Sequence, residues 1–97
     1  MRHEIFFAPE AADDLKRLKA YVRAEVKDAL GRLLRHEPTK SSKSRIKRLR
    51  GLSRPQFRLR IGEVRVFCDV SGSLVEVLAI VIKSQAGRWL RGAGEST

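Results

Sequence analysis

Residues 56–67 read QFRLRIGEVRVF, and polar and apolar side chains alternate in this stretch on both sides of the pair Gly62-Glu63. Such alternation is typical of β-strands that bury one face. A two-residue connection that contains glycine commonly joins two antiparallel strands into a hairpin. We therefore predict a hairpin in which Ile61 lies opposite Val64, and this pairing sets the register of both strands.

The predicted register separates the side chains of the hairpin by their chemistry. The apolar face carries Phe57, Leu59, Ile61, Val64, Val66 and Cys68. The polar face carries Arg58, Arg60, Arg65 and Phe67. Like charges on opposed positions destabilise a sheet, so we expect a bound anion to stabilise this face, and phosphate matches the guanidinium fork. The alternative is an ordinary solvent-facing surface that is rich in arginine.

The segments around the hairpin predict an α+β domain. His3–Phe7 has the composition of a first strand. Leu74–Ile82 is almost continuously apolar and β-branched, which is typical of a central strand that is covered on both faces. Ser84–Arg91 predicts a short last helix. The expected architecture is an N-terminal strand and a helical hairpin packed on an antiparallel sheet, with a short C-terminal helix.

The stretch between Pro9 and Pro38 predicts helix, because apolar residues recur in it at helical spacing. The pattern leaves open whether this stretch forms one helix or two. A helical hairpin that breaks near Ala20–Val22 would bury both apolar stripes better in so small a domain. We expect residues 1–91 to form a single domain and residues 92–97 to form a flexible C-terminal tail.

Length and composition exclude several classes of protein. The 97 residues suffice for one domain with a modest core. The single cysteine, Cys68, cannot form an intrachain disulfide and is expected to be a small buried hydrophobe. Without a cluster of cysteine and histidine we predict no zinc site and no cofactor. Met1–Phe7 does not resemble a signal peptide, and no apolar run approaches the roughly 20 residues of a membrane span, so we expect a soluble, cytoplasmic protein.

Positive charge is concentrated in one segment of the chain. Residues 39–65 contain ten Lys and Arg residues and a single acid, whereas residues 1–38 and 66–97 are close to electrically balanced. A localised basic patch is typical of a site for a polyanion. The alternative for Thr39–Lys47 is a solvated basic loop. The candidate contacts to a nucleic-acid backbone are Lys43, Arg45, Lys47, Arg48, Arg50 and Arg54.

Several motifs in this order resemble the RelE/ParE family of toxins. Arg48–Leu52, with the sequence RLRGL, followed by residues 57–67 is similar to the core motif of that family. Phe-Ala-Pro-Glu-Ala at residues 7–11 is similar to the start of the family's first helix, and Val75–Ile80 resembles its central strand. The resemblance spans roughly residues 3–91 and implies a RelE-like fold of the microbial-RNase type.

In the RelE branch, the resemblance implies a metal-independent endoribonuclease that cleaves mRNA in the ribosomal A site and so inhibits translation. The ribose 2′-hydroxyl attacks the adjacent phosphorus. The site must accept the hydroxyl proton, stabilise the charged phosphorane and help the 5′-oxygen to leave. Carried over position by position, the catalytic residues of such members correspond to Arg58, Arg60, Arg65, Lys83 and Trp89.

The individual positions differ in what they can do. Arginine stays protonated in proteins, so Lys83, whose neutral form neighbouring arginines would favour, is the candidate general base; a surface charge at a strand end is the alternative. Trp89 stands where the family has tyrosine. It can stack on a base but lacks an acid–base hydroxyl, and a hydrophobic plug on the sheet is the alternative. Arg65 lies on the polar face, so its replacement by alanine is expected to leave the fold intact.

The resemblance leaves two functions open. ParE-type members share the fold, generally lack the basic catalytic residues, and inhibit DNA gyrase without cleaving RNA. Retention of the three arginines and of Lys83 favours the endonuclease, whose partners would be the ribosome and mRNA. In both cases the family implies a cognate acidic antitoxin, and we expect no membrane partner.

Overall fold

The computed structural model describes residues 3–34, 46–93 and 95–96. Within these ranges two helices follow the first strand and five consecutive strands follow the helices, and a 3₁₀ turn at Lys83–Gln85 precedes the last helix. In chain order the elements are β1 (Glu4–Phe7), α1 (Pro9–Arg17), α2 (Ala20–Leu34), β2 (Ile46–Arg48), β3 (Leu52–Arg54), β4 (Phe57–Ile61), β5 (Val64–Ser71), β6 (Leu74–Ile82), α3 (Ala86–Ala93) and β7 (Glu95–Ser96).

The hairpin formed by β4 and β5 has the predicted register. Ile61 pairs with Val64 and Arg60 pairs with Arg65, so that the apolar and polar faces have the expected members. Gly62 adopts a φ of +54°. Glycine reaches this left-handed conformation without steric cost, and the first position of a type II′ hairpin turn requires it. Alternation and turn chemistry together therefore specify this hairpin.

Five strands form the main sheet in the order β1-β6-β5-β4-β2. Strand β6 lies inside the sheet as expected, although β5 occupies the middle position. Strand β1 pairs with β6 in parallel, with Glu4 beside Leu74 and Phe7 beside Val77, so the sheet is mixed rather than wholly antiparallel. Side chains alternate in the same way in parallel and antiparallel strands, and the sequence pattern therefore does not reveal the direction of β1.

Helices α1 and α2 cover the apolar face of the sheet. They separate at Leu18 and Lys19, which confirms two helices and places the break just before the expected Ala20–Val22. No helix in the ranges given above has both the length and the apolar character of a membrane span. The main core contains Ala11 and Leu15 of α1, Val26, Ala29 and Leu30 of α2, and the apolar side chains of β4, β5 and β6.

The second face of the sheet is also partly covered. A register shift between Phe67 and Cys68 leaves Leu78 as an extra residue in β6. Phe67, Leu78 and Ala79 are buried outside the main core. Trp89 of α3 stacks on Phe67, with the ring centroids 4.7 Å apart and the ring planes 13° from parallel. Strand β6 is therefore covered on both faces, which confirms the expectation from its continuous apolar sequence.

The C-terminal elements differ in detail from the sequence-based expectation. Helix α3 begins at Ala86, later than expected, because a 3₁₀ turn takes up the preceding residues. Gly92, expected to start the tail, belongs to α3, and Glu95–Ser96 pair with β3. The flexibility of residues 92–97 and the domain boundary at residue 91 stay predictions.

Cys68 is a free thiol in the middle of the core. Its side chain has no exposed surface, which confirms its expected role as a small buried hydrophobe. Burial, with a smaller effect of the neighbouring Asp69, raises the pKa of this thiol from 9.0 to about 12. The thiol is therefore a packing group rather than a reactive one.

Candidate functional site

Three strands contribute basic side chains to the polar face of the sheet. Arg58 of β4 lies between Lys47 on β2 and Phe67 on β5. One step closer to the turn, Arg60 lies opposite Arg65. The alternation of β2 and β4 brings Lys47 next to Arg58 because both strands present the same face at this pair. Lys47, a predicted backbone-binding residue, thus lies on one basic surface with the predicted catalytic residues Arg58 and Arg60.

A cavity of about 550 Å³ lies at the turn of the hairpin. The backbone N–H of Lys83 donates to the carbonyl of Glu63 at 2.7 Å, which holds the end of β6 against the turn. Arg60, Arg65 and Lys83 therefore line one cavity, although they come from three different strands or strand ends. The other charged side chains on its wall are Glu25, Arg32 and Glu63.

Arg65 is more buried than its position on the polar face predicts. Only 7% of its surface is exposed, and its Nη1 donates to the carbonyls of Gly62 at 2.9 Å and Val64 at 3.0 Å. Burial, followed by the positive charges of Arg58 and Arg60, lowers the pKa of this guanidinium. From the sequence, Arg65→Ala is expected to leave the fold intact, but the burial of Arg65 and its hydrogen bonds to the turn indicate that the side chain also contributes to the fold.

Arg58 offers an unused hydrogen-bond donor. Its Nε is buried, and no acceptor in the described part of the chain binds it. A buried donor without a partner costs free energy, on the order of 1–3 kcal/mol. An anion on the polar face would supply the missing acceptor, whereas Arg60 beside it is exposed and can reach such an anion from the solvent side.

Trp89 is not part of the cavity at the turn. One side of its indole ring packs on Phe67. The ring also borders a separate cavity of about 330 Å³ together with Arg54, Pro55 and Leu78. The structure thus brings together three of the five predicted catalytic residues at the turn, leaves Arg58 beside them on the sheet, and places Trp89 as the apolar contact between α3 and the sheet.

The predicted backbone-binding residues have different surroundings. Lys47, Arg48 and Arg50 are exposed, and the guanidinium carbon of Arg48 lies 5.2 Å above the ring of Phe57, a cation–π contact. Arg54 instead forms ion pairs with Asp69 at 3.4 Å and Glu76 at 3.3 Å. Its charge is therefore largely compensated within the protein, which makes it a weaker phosphate contact than its neighbours.

Lys43 and Arg45 lie outside the described residues, so their predicted role in backbone binding keeps the status of a prediction. Within the described ranges, no group of three or more His, Cys, Asp or Glu side chains is placed to hold a metal ion.

Sequence reasoning missed the residues that α2 contributes to the cavity. Glu25 and Arg32 lie far from the basic segment in sequence, and no motif marks them. Arg32 is engaged by Asp28, one turn earlier on the same helix, at 3.0 Å. In the sequence, Glu63 is a residue of the predicted turn and nothing points to a second carboxylate near it. The docking of α2 against the hairpin, a long-range contact, is what places Glu25 and Glu63 on the same cavity.

Several solved structures share this fold. The chain is similar to the RelB–RelE antitoxin–toxin complex from Methanococcus jannaschii, with a TM-score of 0.68 and 19% identity over 87% of this chain and 96% of that chain. It is also similar to the RelE–RelB complex from Pyrococcus horikoshii (TM-score 0.64, 21% identity, coverage 89% and 100%). A mutant of the E. coli toxin RelE in the free state gives a TM-score of 0.57 and 17% identity, with 92% of each chain covered. At these identities the likeness shows the fold.

A sequence model of one toxin family matches most of the chain. The family is described as the ParE toxin of the type II toxin–antitoxin system parDE, and the match spans residues 5–87. No curated protein matches the chain. The family match covers nearly all of the main sheet together with helices α1 and α2. The chain therefore belongs to the RelE/ParE family of toxins of type II toxin–antitoxin systems.

Proposed function

We propose that this toxin is a ribosome-dependent endoribonuclease that cleaves mRNA without a metal and so inhibits translation. The observation that carries the proposal is the shared cavity of Arg60, Arg65 and Lys83. Arg58, which pairs with Lys47, lies two residues before Arg60 on the same strand. Cleavage through the 2′-hydroxyl builds negative charge on a phosphorane, and positioned cationic donors stabilise that charge most effectively where water is partly excluded.

The arginines have complementary tasks in this proposal. Arg60 is exposed and free to form two parallel hydrogen bonds with a phosphate. Arg65 is already oriented by the turn carbonyls, so that little side-chain entropy is lost when the phosphate binds. Arg58 adds the donor that has no acceptor within the described chain. The three together would favour the charged phosphorane over the singly charged substrate.

Lys47, Arg48 and Arg50 are exposed basic side chains outside the cavity. Lys47 lies beside Arg58 on the polar face, whereas Arg48 pairs with Phe57 and so lies on the opposite face. The three basic side chains are suited to the phosphates of the neighbouring nucleotides, because lysine and arginine contacts to a nucleic-acid backbone release counterions and position the chain without reading its bases. In this proposal these exposed side chains contribute to the affinity for mRNA, whereas the residues of the cavity carry out the cleavage.

The test is cleavage of mRNA on programmed ribosomes, with the 3′ ends of the fragments mapped. Arg60→Gln should lower the single-turnover rate by about 100-fold or more, the usual loss for one preorganised donor to a developing charge. Arg17→Gln is the matched control, because this substitution removes the same charge at a position away from the cavity. Arg17 lies on α1, and 76% of its side chain is exposed. Equal rates for both variants would contradict the proposed role of the cavity.

Inhibition of DNA gyrase is the second candidate, and the match to a ParE toxin family model is the observation that favours it. Supercoiling by purified gyrase in the presence of the toxin distinguishes the two candidates. A toxin that blocks gyrase and leaves ribosome-bound mRNA uncut would replace the endonuclease with the gyrase inhibitor.

The partner that restrains the toxin is proposed to be a cognate acidic antitoxin. Two of the structures with this fold are complexes of RelE with RelB. The basic surface of this chain supplies the complementary charge, since seven Lys and Arg residues and one acid lie between residues 46 and 65.

A further inference from the structure

Helix α2 brings a carboxylate to a cavity that is otherwise mainly cationic. Glu25 lines the cavity at the turn together with Arg60, Arg65 and Lys83. Its Oε1 lies 3.3 Å from the position that a Cβ atom on Gly62 would occupy, so the carboxylate rests against the turn itself. The side chain is exposed and forms no hydrogen bond or ion pair within the described part of the chain. It is therefore available to a substrate.

The proposed cleavage needs a group that accepts the proton of the 2′-hydroxyl. Arginine has no acceptor and stays protonated, and a lysine ammonium must first lose a proton before it can take one. An ionised carboxylate accepts protons as it stands. Of the six charged side chains that the described residues contribute to the wall of the cavity, Glu25 and Glu63 are the two that satisfy this requirement.

The positions of the two carboxylates favour Glu25. Glu63 belongs to the turn, and its negative charge favours the protonated form of Arg65, which partly offsets the lowering of that guanidinium's pKa by burial. Glu63 also borders a second cavity, together with Ile82 and Ser84. Glu25 stands on α2, one helical turn before Ala29, which is buried in the core and fixes that face of the helix. Rigid elements hold catalytic groups more accurately than turns do.

We propose that Glu25 is the general base of this toxin and that Lys83 is its general acid; the inference rests on the proposed endoribonuclease activity. The Glu25 carboxylate takes the proton of the 2′-hydroxyl while the 2′-oxygen bonds to phosphorus. The bond from phosphorus to the 5′-oxygen breaks, and the Lys83 ammonium gives its proton to that oxygen. The products are a 2′,3′-cyclic phosphate and a free 5′-hydroxyl, and transfer of the proton from Glu25 to Lys83 through solvent restores the enzyme.

This assignment reverses the role that the sequence suggests for Lys83. Within the basic segment, lysine is the one residue type that can become a base, so sequence reasoning selects it. With Glu25 in the same cavity, Lys83 can act in the ionised form that lysine ordinarily has, as a proton donor. Base and acid then come from α2 and from the end of β6, and Arg60 and Arg65 line the same cavity.

The first experiment compares Glu25→Gln with Glu4→Gln in single-turnover cleavage of mRNA on programmed ribosomes. Glutamine keeps the size of the side chain and removes its ability to take the proton, so Glu25→Gln should lower the rate by about 100-fold or more. Glu4 is exposed at the other end of the sheet, and its variant makes the same chemical change there. Both variants should melt at the temperature of the wild type, because both side chains are exposed.

A wild-type rate for Glu25→Gln would overturn the inference and leave the endoribonuclease intact. A wild-type protein that does not cut ribosome-bound mRNA would overturn both. A loss of activity in Glu25→Gln that comes with a lowered melting temperature would be resolved by Glu25→Asp, which retains a carboxylate. If Glu25→Asp is as inactive as Glu25→Gln at equal stability, a base at this position is excluded.

The second experiment separates base from acid. In an mRNA with sulfur in place of the bridging 5′-oxygen at the cut, the leaving thiolate needs no proton. Lys83→Met should then cut this mRNA at nearly the wild-type rate and the ordinary mRNA about 100-fold more slowly. Glu25→Gln should stay slow on both substrates. Rescue of Glu25→Gln by sulfur, or lack of rescue of Lys83→Met, would contradict the assigned roles.

Discussion

Arg65 carries a positive charge into a position with little access to solvent. Burial of an ion is costly unless hydrogen bonds compensate it. The hydrogen bonds from Nη1 to the carbonyls of Gly62 and Val64 provide this compensation and tie the side chain to the turn. Arg65 therefore has a structural task next to its proposed catalytic one.

Replacement of Arg65 should consequently destabilise the protein. We expect Arg65→Ala to lower the free energy of unfolding by about 1–3 kcal/mol, because the turn loses the two hydrogen bonds that the buried guanidinium donates. Arg60→Ala, the change at its cross-strand partner, should stay within about 0.5 kcal/mol of the wild type, because Arg60 is exposed. Urea unfolding of the two variants measures the difference between their free energies of unfolding. Equal values would show that the contacts of Arg65 with the turn do not stabilise the protein.

The buried thiol of Cys68 predicts a loss of stability at alkaline pH. Its pKa is higher in the folded protein than in the unfolded chain, so the unfolded chain loses this proton first as the pH rises above about 9. The free energy of unfolding is therefore unaffected by ionisation of this thiol below pH 9. At pH 10 it should be lower by roughly 1 kcal/mol. Denaturant unfolding at pH 8 and pH 10 checks this against Cys68→Ala, which should lack that part of the pH dependence. An identical dependence in both proteins would contradict it.

An aromatic stack connects helix α3 to the sheet. Trp89 covers Phe67, whose own surface is fully buried, while the helix itself is only eight residues long. A helix this short is marginal in water without tertiary contacts. We therefore expect the stack to stabilise the packing of α3 on the polar face of the sheet, close to Arg58.

Removal of this stack should loosen α3 selectively. In Trp89→Ala the amide protons of α3 should exchange faster with deuterium, while those of β5 and β6 keep their protection. In Trp89→Phe, α3 should keep much of its protection, because the remaining aromatic pair contributes about 0.5–1.5 kcal/mol beyond the buried area. Unchanged exchange in α3 of the alanine variant would show that other contacts dock the helix.

The elements also differ in how well local sequence specifies them. The hairpin of β4 and β5 could be predicted to the register, because alternation and a glycine turn act between neighbours in the chain. The direction of β1 and the bulge at Leu78 could not, because they arise from pairing across the sheet with partners far apart in sequence. The break between α1 and α2 could be predicted to within a few residues, from the length of the apolar pattern.

For the whole molecule, the uneven charge predicts how the antitoxin binds. Long-range attraction between the basic surface and an acidic partner accelerates association and is screened by salt. The association rate in stopped-flow mixing should fall by about tenfold or more between low salt and ~0.5 M salt. The effect should be smaller for Lys47→Ala, on the basic surface, than for Arg17→Ala on α1. A rate independent of salt would exclude charge as the steering force.

The sequence by itself determined which side chains share a face of the hairpin, where the positive charge lies, and the family whose motifs these residues resemble. All of these properties depend on spacing along the chain, and local backbone geometry converts spacing into position. The tertiary structure alone decided what packs against those faces. It buried Arg65 at the turn, engaged Arg54 with Asp69 and Glu76, and placed Trp89 on Phe67.

The same distinction applies to the cavity at the turn. The basic side chains could be named from the sequence because they lie within one segment and one hairpin, together with the strand end that follows. Glu25 could not, because it is separated from the hairpin by more than thirty residues and reaches the turn only through the docking of α2 on the core. Periodicity shows that a helix has an apolar face, but the position at which that face meets the sheet follows from the packing of all the core side chains together.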